Sequence, residues 1–388
     1  MVLKPEIDSI GAAGADALQR GEFKLAESFF ERYAAAAPGD RRGHFGLALA
    51  RKELGDTDGA HIALDTLLRS NWVDLPALML KGDLYLEKGD RAAAASFFGL
   101  ALRHVPPGGA PNREAAERLR RAREFMDQYS REILDRIFVE LSSAGYRKDQ
   151  SSRRFTESVQ ILAGAGKRYV EEPLSFYFSG LPAIGFYPRQ SFDWLEPLES
   201  QTDVISDEFM RAAADESIFV PYVRESEGRP TQYDKKLLNS SDWSALFLVD
   251  DGKVIEKNAR LFPKTLSILE KTPLHRVDGH GPIILFSRLT PGTIIEPHTG
   301  FLNTRLICHL PIIAPAGCAL RVGNETRDWK RGEAIVFNDS IEHEAWNKSD
   351  RDRVVLLFSV WRPELTAEER GLVSALMVSG FGFTHGGA

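Results

Sequence analysis

The sequence predicts two kinds of structure in one chain: an α-helical repeat array, and after it a β-rich domain of jelly-roll type flanked by helices. Glycines recur every 34 residues near the N-terminus, and a long helical pattern follows them. From about Phe155, short β-branched or aromatic runs alternate with turn residues. The predicted domains are therefore residues 1–110, a capping and connecting helix over 111–150, and the β-rich domain over 151–388.

The composition is that of a globular protein and argues against two classes of partner. The 388 residues carry a formal charge of −6, with both signs mixed along the chain, so we expect no nucleic-acid partner. We also expect no membrane association and a cytoplasmic location, because no run has the apolar length of a membrane span or the pattern of a signal peptide. Cys308 and Cys318 are too few for a disulfide framework and are predicted to be small buried side chains.

The N-terminal third repeats itself. Turn glycines, small residues and bulky residues fall at matched positions of three units: Gly21, Gly55 and Gly89; Ala26, Ala60 and Ala94; Phe30, Leu64 and Phe98. This spacing resembles the tetratricopeptide repeat, in which small side chains let two helices approach closely and larger ones fill the next unit. Unrelated amphipathic helices are the alternative, but three copies at one period favour the repeat.

A helix is predicted after the break "PPGGAPN". Apolar residues recur there three or four positions apart, from Leu119 to Leu141, and Arg and Glu occupy much of the other face. A repeat array needs a cap for its last apolar face, and this helix is expected to provide it. We interpret its charges as a solvated surface rather than a binding surface.

In the β-rich part, helices are expected at about 207–214 and 264–271, with a closing helix in "RPELTAEERGLVSALM". "DDG" and "PGT" are predicted turns, and "GNET" and "KRGE" are predicted to close hairpins. Residues two apart on a strand share a face, so Arg305, Ile307 and His309 point one way, and Arg353 shares a face with alternate apolar residues. A buried arginine is costly unless it meets an anion, so these strands predict a pocket for a carboxylated ligand.

His298 and His343 are the candidate metal ligands. They lie 45 residues apart, each close to a predicted strand end, which suits two ligands on different jelly-roll strands. Either histidine alone would more often be a surface or core residue. Iron(II) oxygenases need two histidines on one face of the metal, open positions for a chelating co-substrate and dioxygen, and a cation for the co-substrate's far carboxylate. Arg353, ten residues after His343, suits the last requirement.

Three segments, "PHTGFLNTRLICHLPI", "GCALRVGNETRDWKRGEAIVFNDSIEHEAWN" and "RVVLLFSVWRPELT", resemble the aspartyl/asparaginyl β-hydroxylase family of Fe(II)- and 2-oxoglutarate-dependent oxygenases. The resemblance runs, with gaps, from "GLPAIGFYP" to "RPELT" and implies a double-stranded β-helix. It implies that His298 and His343 bind Fe(II), that Gly300 replaces the usual carboxylate ligand and that water fills its place. Asp339 would then stand next to the metal's ligands without binding the metal, or else be a turn residue bonded to its own backbone.

The same resemblance assigns the 2-oxoglutarate pocket to Trp243, Ser287, His309 and Arg353, with Arg305 as a possible substrate contact and no catalytic residue beyond the metal ligands. Well-studied members carry an arginine where Ile307 stands, which puts the substrate in doubt. The expected activity is hydroxylation of an aspartyl or asparaginyl residue in a peptide or protein, possibly held by the repeat array, with conversion of 2-oxoglutarate to succinate. The alternatives are hydroxylation of a free amino acid, a peptide natural product or an acyl chain, and a non-catalytic scaffold.

Overall fold

A computed structural model describes residues 4–106, 112–148, 150–224 and 236–379 of the chain. These residues form two compact units, Met1–Gly166 and Lys167–Ala388. The boundary lies later than the predicted start of the β-rich domain at residue 151. The intervening segment forms a helix of the first unit.

The first unit consists of helices, and consecutive helices pair as hairpins. They are α1 (Lys4–Gln19), α2 (Phe23–Ala36), α3 (Arg41–Glu53), α4 (Thr57–Ser70), α5 (Leu75–Glu87), α6 (Arg91–Arg103), α7 (Arg113–Ser143) and α8 (Arg153–Leu162). Gly21, Gly55 and Gly89 have φ angles of 73°, 79° and 83°, so each hairpin turn uses a backbone conformation that favours glycine. The predicted tetratricopeptide-like array is confirmed.

The repeat positions form the core of this unit. Ala26, Ala60 and Ala94 are fully buried, and the bulky positions Phe30, Leu64 and Phe98 pack among them. The predicted capping helix is α7, which packs against α6 and buries Leu119 and Ala122 beside Phe98. The last repeat therefore covers its apolar face with α7, as a terminal unit must.

The second unit contains eleven described strands and five described α-helices. The strands are β1 (Val220–Pro221), β2 (Trp243–Asp250), β3 (Lys253–Val254), β4 (Ile284–Leu289), β5 (Ile294–His298), β6 (Arg305–Ile313), β7 (Cys318–Val322), β8 (Glu325–Asp328), β9 (Ile335–Phe337), β10 (His343–Asn347) and β11 (Arg353–Trp361). The helices are α9 (Leu195–Glu199), α10 (Thr202–Ala212), α11 (Glu256–Ala259), α12 (Pro263–Leu269) and α13 (Ala367–Val378).

The strands form a jelly roll of two antiparallel sheets. The large sheet has the order β1-β2-β4-β11-β6-β9, with β3 paired to β2, and the small sheet has the order β5-β10-β7-β8. The predicted face alternation is confirmed on β6, where Ile307 joins the core between the sheets while Leu306 and Cys308 pack on the outer face of the large sheet with α9, α10 and α12. Both cysteines are buried and free.

Two local predictions were wrong. "LSFYFSGLPAIGFY" forms no strand over its fully described length. Its first residues bond to a loop, as in the Ser175 N–H to Phe301 carbonyl bond of 3.0 Å, and the Tyr187 N–H at its end makes a single bond of 2.9 Å to the Val336 carbonyl oxygen of β9. "GNET" does close the β7–β8 hairpin, whereas "KRGE" joins β8 to β9 across the two sheets and closes no hairpin. Within the described residues, no helix has the length and apolarity needed to cross a bilayer.

Candidate active site

One cavity between the two sheets collects every residue predicted for the site. Its walls come from β2 and β4 to β7, from β9 to β11, and from the loops that follow β5 and β9. The predicted residues in it are Trp243, Ser287, His298, Gly300, Arg305, His309, Asp339, His343 and Arg353. Residues spread over 110 positions of sequence thus meet in one place because the jelly roll brings alternate strands to the same interior.

His298 and His343 lie side by side on adjacent strands of the small sheet. His298 ends β5, His343 begins β10, and the two are direct partners in the antiparallel register. Their ring centroids are 4.1 Å apart, at 52°. Each Nδ1 lies near the carbonyl oxygen two residues earlier, 2.8 Å from Glu296 and 3.0 Å from Ile341. An Nδ1–H that donates to a carbonyl leaves the lone pair on Nε2, as a metal-binding imidazole requires.

Both imidazoles are kept neutral. Burial, followed by the neighbouring His343, lowers the pKa of His298 to about 3, and burial lowers the pKa of His343 to about 4. Neutral imidazole is the form that binds metals. In the described part of the chain, no three or more His, Cys, Asp or Glu side chains cluster as a metal site, and His298 and His343 are the two candidate ligands.

The carboxylate of Asp339 occupies the space next to the Cα atom of Gly300 where a side chain would lie. A Cβ atom on Gly300 would overlap the carboxylate of Asp339, and the Gly300 N–H donates to the Asp339 carbonyl oxygen at 2.6 Å. Arg305 Nη2 lies 3.5 Å from Asp339 Oδ2. Burial raises the pKa of Asp339, while Arg305 opposes that shift. A carboxylate from another loop therefore stands where the side chain of residue 300 would otherwise be.

Arg353 is a buried cation that meets no carboxylate among the residues that the structure describes. Its side chain is 1% exposed, and no carboxylate among the described residues forms an ion pair with it. Nη1 donates to the Ser287 carbonyl oxygen at 3.3 Å, Nε has no described partner, and the guanidinium lies 4.6 Å from the Trp329 ring centroid. Burial lowers the pKa of Arg353 to about 9. A guanidinium in this state is suited to bind an anion inside the cavity.

Ser287, Trp243 and His309 surround that cation. Trp243 Nε1–H donates to Ser287 Oγ at 3.2 Å, and Arg353 Nη1 lies 3.5 Å from the same oxygen. His309 is buried, its Nδ1 has no described partner, and burial followed by the Arg353 charge puts its pKa well below the usual value. The pocket therefore offers donors for a carboxylate beside a neutral imidazole.

Comparison with known proteins shows which family the region with this geometry is similar to. Residues 199–363 match the family model described as Aspartyl/Asparaginyl beta-hydroxylase. The matched region contains the histidine pair, Gly300, Asp339 and Arg353. Through this region the chain is similar to the aspartyl/asparaginyl β-hydroxylase family.

Known relatives match this part of the chain at 30% to 38% identity. Human aspartyl/asparaginyl beta-hydroxylase is 38% identical over 144 residues, which are 37% of this chain and 19% of the human protein. Aspartate beta-hydroxylase domain-containing protein 2 of Xenopus tropicalis is 30% identical over 54% of this chain and 56% of its own length. The ornithine lipid ester-linked acyl 2-hydroxylase of Rhizobium tropici is 30% identical over 50% of this chain and 66% of its own length. The chain thus spans from about a fifth to about two thirds of these relatives.

A solved structure, the TPR2B domain of yeast Sti1 in complex with pHsp70, is similar to this chain. The match covers 30% of this chain and 96% of the Sti1 chain, with 17% identity and a TM-score of 0.28.

Several residues that support the cavity of the second unit escaped sequence reasoning. Trp329 lies under Arg353, and Tyr222 stacks on Trp243 with ring centroids 4.0 Å apart. Glu171 accepts hydrogen bonds from Asn303 and Arg362, and so ties the loop after β5 to the end of β11. A lone tryptophan, tyrosine or glutamate carries no periodic signal, and their partners lie 21 to 191 positions away, so only the fold reveals them.

Proposed function

We propose that the second unit is an Fe(II)- and 2-oxoglutarate-dependent hydroxylase. The observation that carries this proposal is the adjacent pair His298 and His343, each with Nδ1 directed to a backbone carbonyl so that Nε2 can bind a metal. Iron and 2-oxoglutarate together would supply oxygen activation, with 2-oxoglutarate converted to succinate and carbon dioxide. The two imidazoles would hold the metal on one side, and their low pKa values keep them unprotonated at neutral pH.

Arg353 and Ser287 would bind the distal carboxylate of 2-oxoglutarate. The guanidinium can donate two parallel hydrogen bonds to a carboxylate. Ser287, whose Oγ accepts from the indole N–H of Trp243, can donate a further hydrogen bond. His309 would contact the other end of the keto-diacid. The buried cation and the neutral imidazole fit a dicarboxylate better than a neutral ligand, because an unpaired buried charge is costly.

Asp339 would orient a water molecule at the position that Gly300 leaves without a side-chain ligand. Asp339 lines the cavity, its Oδ2 lies near Arg305 and its Oδ1 has no described partner, so Oδ1 could accept a hydrogen bond from a water molecule. Acting beside the metal rather than on it, Asp339 would keep this position filled and ordered.

The proposed substrate is an aspartyl or asparaginyl residue of a peptide or protein. The names of the human and Xenopus relatives support this class. The repeat array supports a peptide partner, since stacked helical hairpins present extended surfaces. The alternative is an acyl chain, a free amino acid or a peptide natural product. The apolar side chain of Ile307 in the cavity and the name of the Rhizobium relative support that alternative.

The test is metal binding followed by turnover. Metal-free protein is titrated with Co(II) in the absence of oxygen, and its absorption spectrum is recorded; Fe(II), 2-oxoglutarate and air are then supplied and succinate is measured. We expect binding of one metal ion and succinate formation, with both lost in His298→Ala and His343→Ala and retained in His44→Ala, a histidine of the repeat array. A wild-type protein that binds no metal and forms no succinate would leave the scaffold alternative standing.

A further inference from the structure

Trp329 lies against the guanidinium of Arg353. The Cζ atom of Arg353 lies over the indole, 4.6 Å from the ring centroid, and the ring of His309 is 5.9 Å from the same indole. Arg353 and His309 line the cavity, whereas Trp329 is not among the described residues that line it. Trp329 is therefore next to two residues assigned to 2-oxoglutarate and outside the lining that a ligand would touch.

The fold holds this tryptophan between the two sheets. Trp329 directly follows β8 of the small sheet, and its backbone N–H donates to the Cys318 carbonyl oxygen of β7 at 3.3 Å. The side chain is 3% exposed and belongs to the core between the sheets. Arg353 begins β11 of the large sheet. A cation from the large sheet thus rests on an aromatic ring that is anchored to the small sheet.

Arg353 differs from the other arginines with little exposed surface in this unit, because an aromatic ring stands beside it instead of a carboxylate. Three of those arginines have described carboxylate partners: Arg305 with Asp339, Arg321 with Glu342, and Arg362 with Glu171. The described hydrogen bonds of the Arg353 guanidinium run from Nη1 to the carbonyl oxygen and the Oγ atom of Ser287. A carboxylate partner would offset the charge of Arg353, whereas these contacts leave it in place.

An aromatic face stabilises a buried cation without neutralising it. Burial disfavours the charged form of Arg353 and lowers its pKa to about 9. The electrons of the indole face attract the guanidinium, and this attraction is stronger in a desolvated site than at an exposed one. A cation above the ring needs none of its N–H groups for that contact, and Nε of Arg353 has no described partner. Trp329 therefore offsets part of the cost of burial and leaves both charge and donors for an anion.

We propose that Trp329 is a positioning residue for the distal carboxylate of 2-oxoglutarate and acts through the guanidinium of Arg353. The inference rests on the proposed function and adds a residue to that site. Contact with the indole holds the guanidinium in one orientation, so that its donors meet the carboxylate without rearrangement. Trp329 is therefore important for a keto acid that has a distal carboxylate, and of little importance for one that lacks it.

The test compares two keto acids that differ at the distal end. In 2-oxopentanoate a methyl group replaces the distal carboxylate of 2-oxoglutarate, while the keto-acid end is the same. Calorimetry on the full chain with Mn(II) measures both affinities for the wild type, Trp329→Phe and Trp329→Leu. We expect Trp329→Leu to weaken 2-oxoglutarate binding about tenfold, and Trp329→Phe, which keeps an aromatic face, less than about threefold. The affinity for 2-oxopentanoate is expected to change less than about twofold in both variants.

Tryptophan analogues test the same contact without a change of shape, and so cover the case in which Trp329→Leu does not fold. Analogues with increasing numbers of ring fluorine atoms are introduced at position 329 alone. Fluorine withdraws electrons from the ring and weakens its attraction for a cation, while the indole keeps nearly the same size. We expect the affinity for 2-oxoglutarate to fall step by step with fluorination, with the affinity for 2-oxopentanoate unchanged. A residue that only fills space would give no such series.

Trp361 provides the matched control. It is also a buried tryptophan of this unit, its ring centroid lies 6.0 Å from the guanidinium carbon of Arg370, and it is not among the described residues that line the cavity. Trp361→Phe and fluorinated analogues at position 361 are expected to keep the wild-type ratio of the two affinities. Unchanged 2-oxoglutarate affinity in every Trp329 variant, or an equal loss for both keto acids, overturns the inference alone. A wild type that binds neither keto acid overturns the proposed function with it, so the two failures are distinguishable.

Discussion

The carboxylate of Asp339 fills the space that a side chain on Gly300 would need. The two residues come from different loops, yet the Gly300 N–H donates to the Asp339 carbonyl oxygen at 2.6 Å, so their backbones are in direct contact. Arg305 holds the carboxylate from the far side at 3.5 Å. Residue 300 must therefore be glycine for steric reasons, because any larger side chain would overlap the Asp339 carboxylate.

The first prediction concerns Gly300→Ala. The added methyl group overlaps the Asp339 carboxylate and must displace it toward Arg305 or push the two loops apart. Moving these loops also moves His298 and His343, so we expect metal affinity to fall by about 10- to 100-fold, the range seen when groups that orient metal ligands are lost. Co(II) titration monitored by absorption measures the effect.

The control for that prediction uses a glycine with free space. A methyl group added to Gly371 on α13 would meet no heavy atom within 4 Å, so Gly371→Ala is expected to bind Co(II) as the wild type does. In Gly300→Ala/Asp339→Ala the overlapping carboxylate is removed, so the added methyl group has room and metal binding should partly recover. If the double variant binds metal no better than Gly300→Ala, steric conflict with Asp339 is not the cause.

The second prediction separates the role of Arg353 in ligand binding from its role in folding. Because this buried guanidinium lacks a carboxylate partner among the described residues, Arg353→Met should leave the ligand-free protein as stable as the wild type or more stable. It should also abolish stabilisation by 2-oxoglutarate, which at 100 times Kd is about 2.7 kcal/mol for the wild type. Thermal unfolding with and without 2-oxoglutarate tests both parts. An equal 2-oxoglutarate-induced rise in Tm for both proteins would contradict the assignment.

The third prediction concerns Glu171, which holds the site from outside the cavity. Arg362 is fully buried and its Nη1 donates to Glu171 Oε1 at 2.5 Å, while Asn303 and Asn338 also donate to this carboxylate. Glu171→Ala removes a carboxylate partner of the buried Arg362, a change that lowers the free energy of unfolding by about 3–5 kcal/mol. We expect a clear loss of stability in urea unfolding, and weaker Co(II) binding by the protein that remains folded.

The neighbouring Glu172 is exposed and provides the matched control, since Glu172→Gln makes a similar charge change without touching Arg362. Unfolding of Glu171→Ala at the wild-type urea concentration would show that Arg362 does not depend on this carboxylate.

The sequence predicts those features that repeat or alternate. The 34-residue period locates the hairpins around Gly21, Gly55 and Gly89, and the two-residue alternation on β6 identifies the face that carries Arg305 and His309. The segment around Ser175 was assigned to strands because its composition is β-like, but its backbone partners are loops that no local pattern encodes. Contacts such as Glu171 with Arg362 join distant residues once each, and single contacts leave no periodic trace.

The fourth prediction is a pH effect in the repeat array. The hydrogen bond from Arg42 holds the pKa of Asp40 below its usual value, and Asp40 also caps α3 through the Arg42 N–H. A lowered folded-state pKa adds stability above the unfolded-state pKa near 4, and this stability is lost as pH falls through the lower folded-state value. Water screens this exposed pair, so we expect the loss of stability to be small. Urea unfolding between pH 6 and 2 should be less pH-dependent in Asp40→Asn; an unchanged slope would exclude the pair.

The fifth prediction tests close packing in the repeat array. A methyl group on Gly46 of α3 would overlap the ring of Phe30 on α2, and both residues belong to the buried core of the first hairpins. Since a packed core tolerates added volume poorly, Gly46→Ala should destabilise the array by about 1–3 kcal/mol despite the better helix propensity of alanine. Gly39→Ala, which meets no atom within 4 Å, is the control. Phe30→Leu combined with Gly46→Ala should recover part of the loss in urea unfolding, because the smaller side chain makes room for the methyl group; a double variant less stable than both single variants would refute this packing relationship.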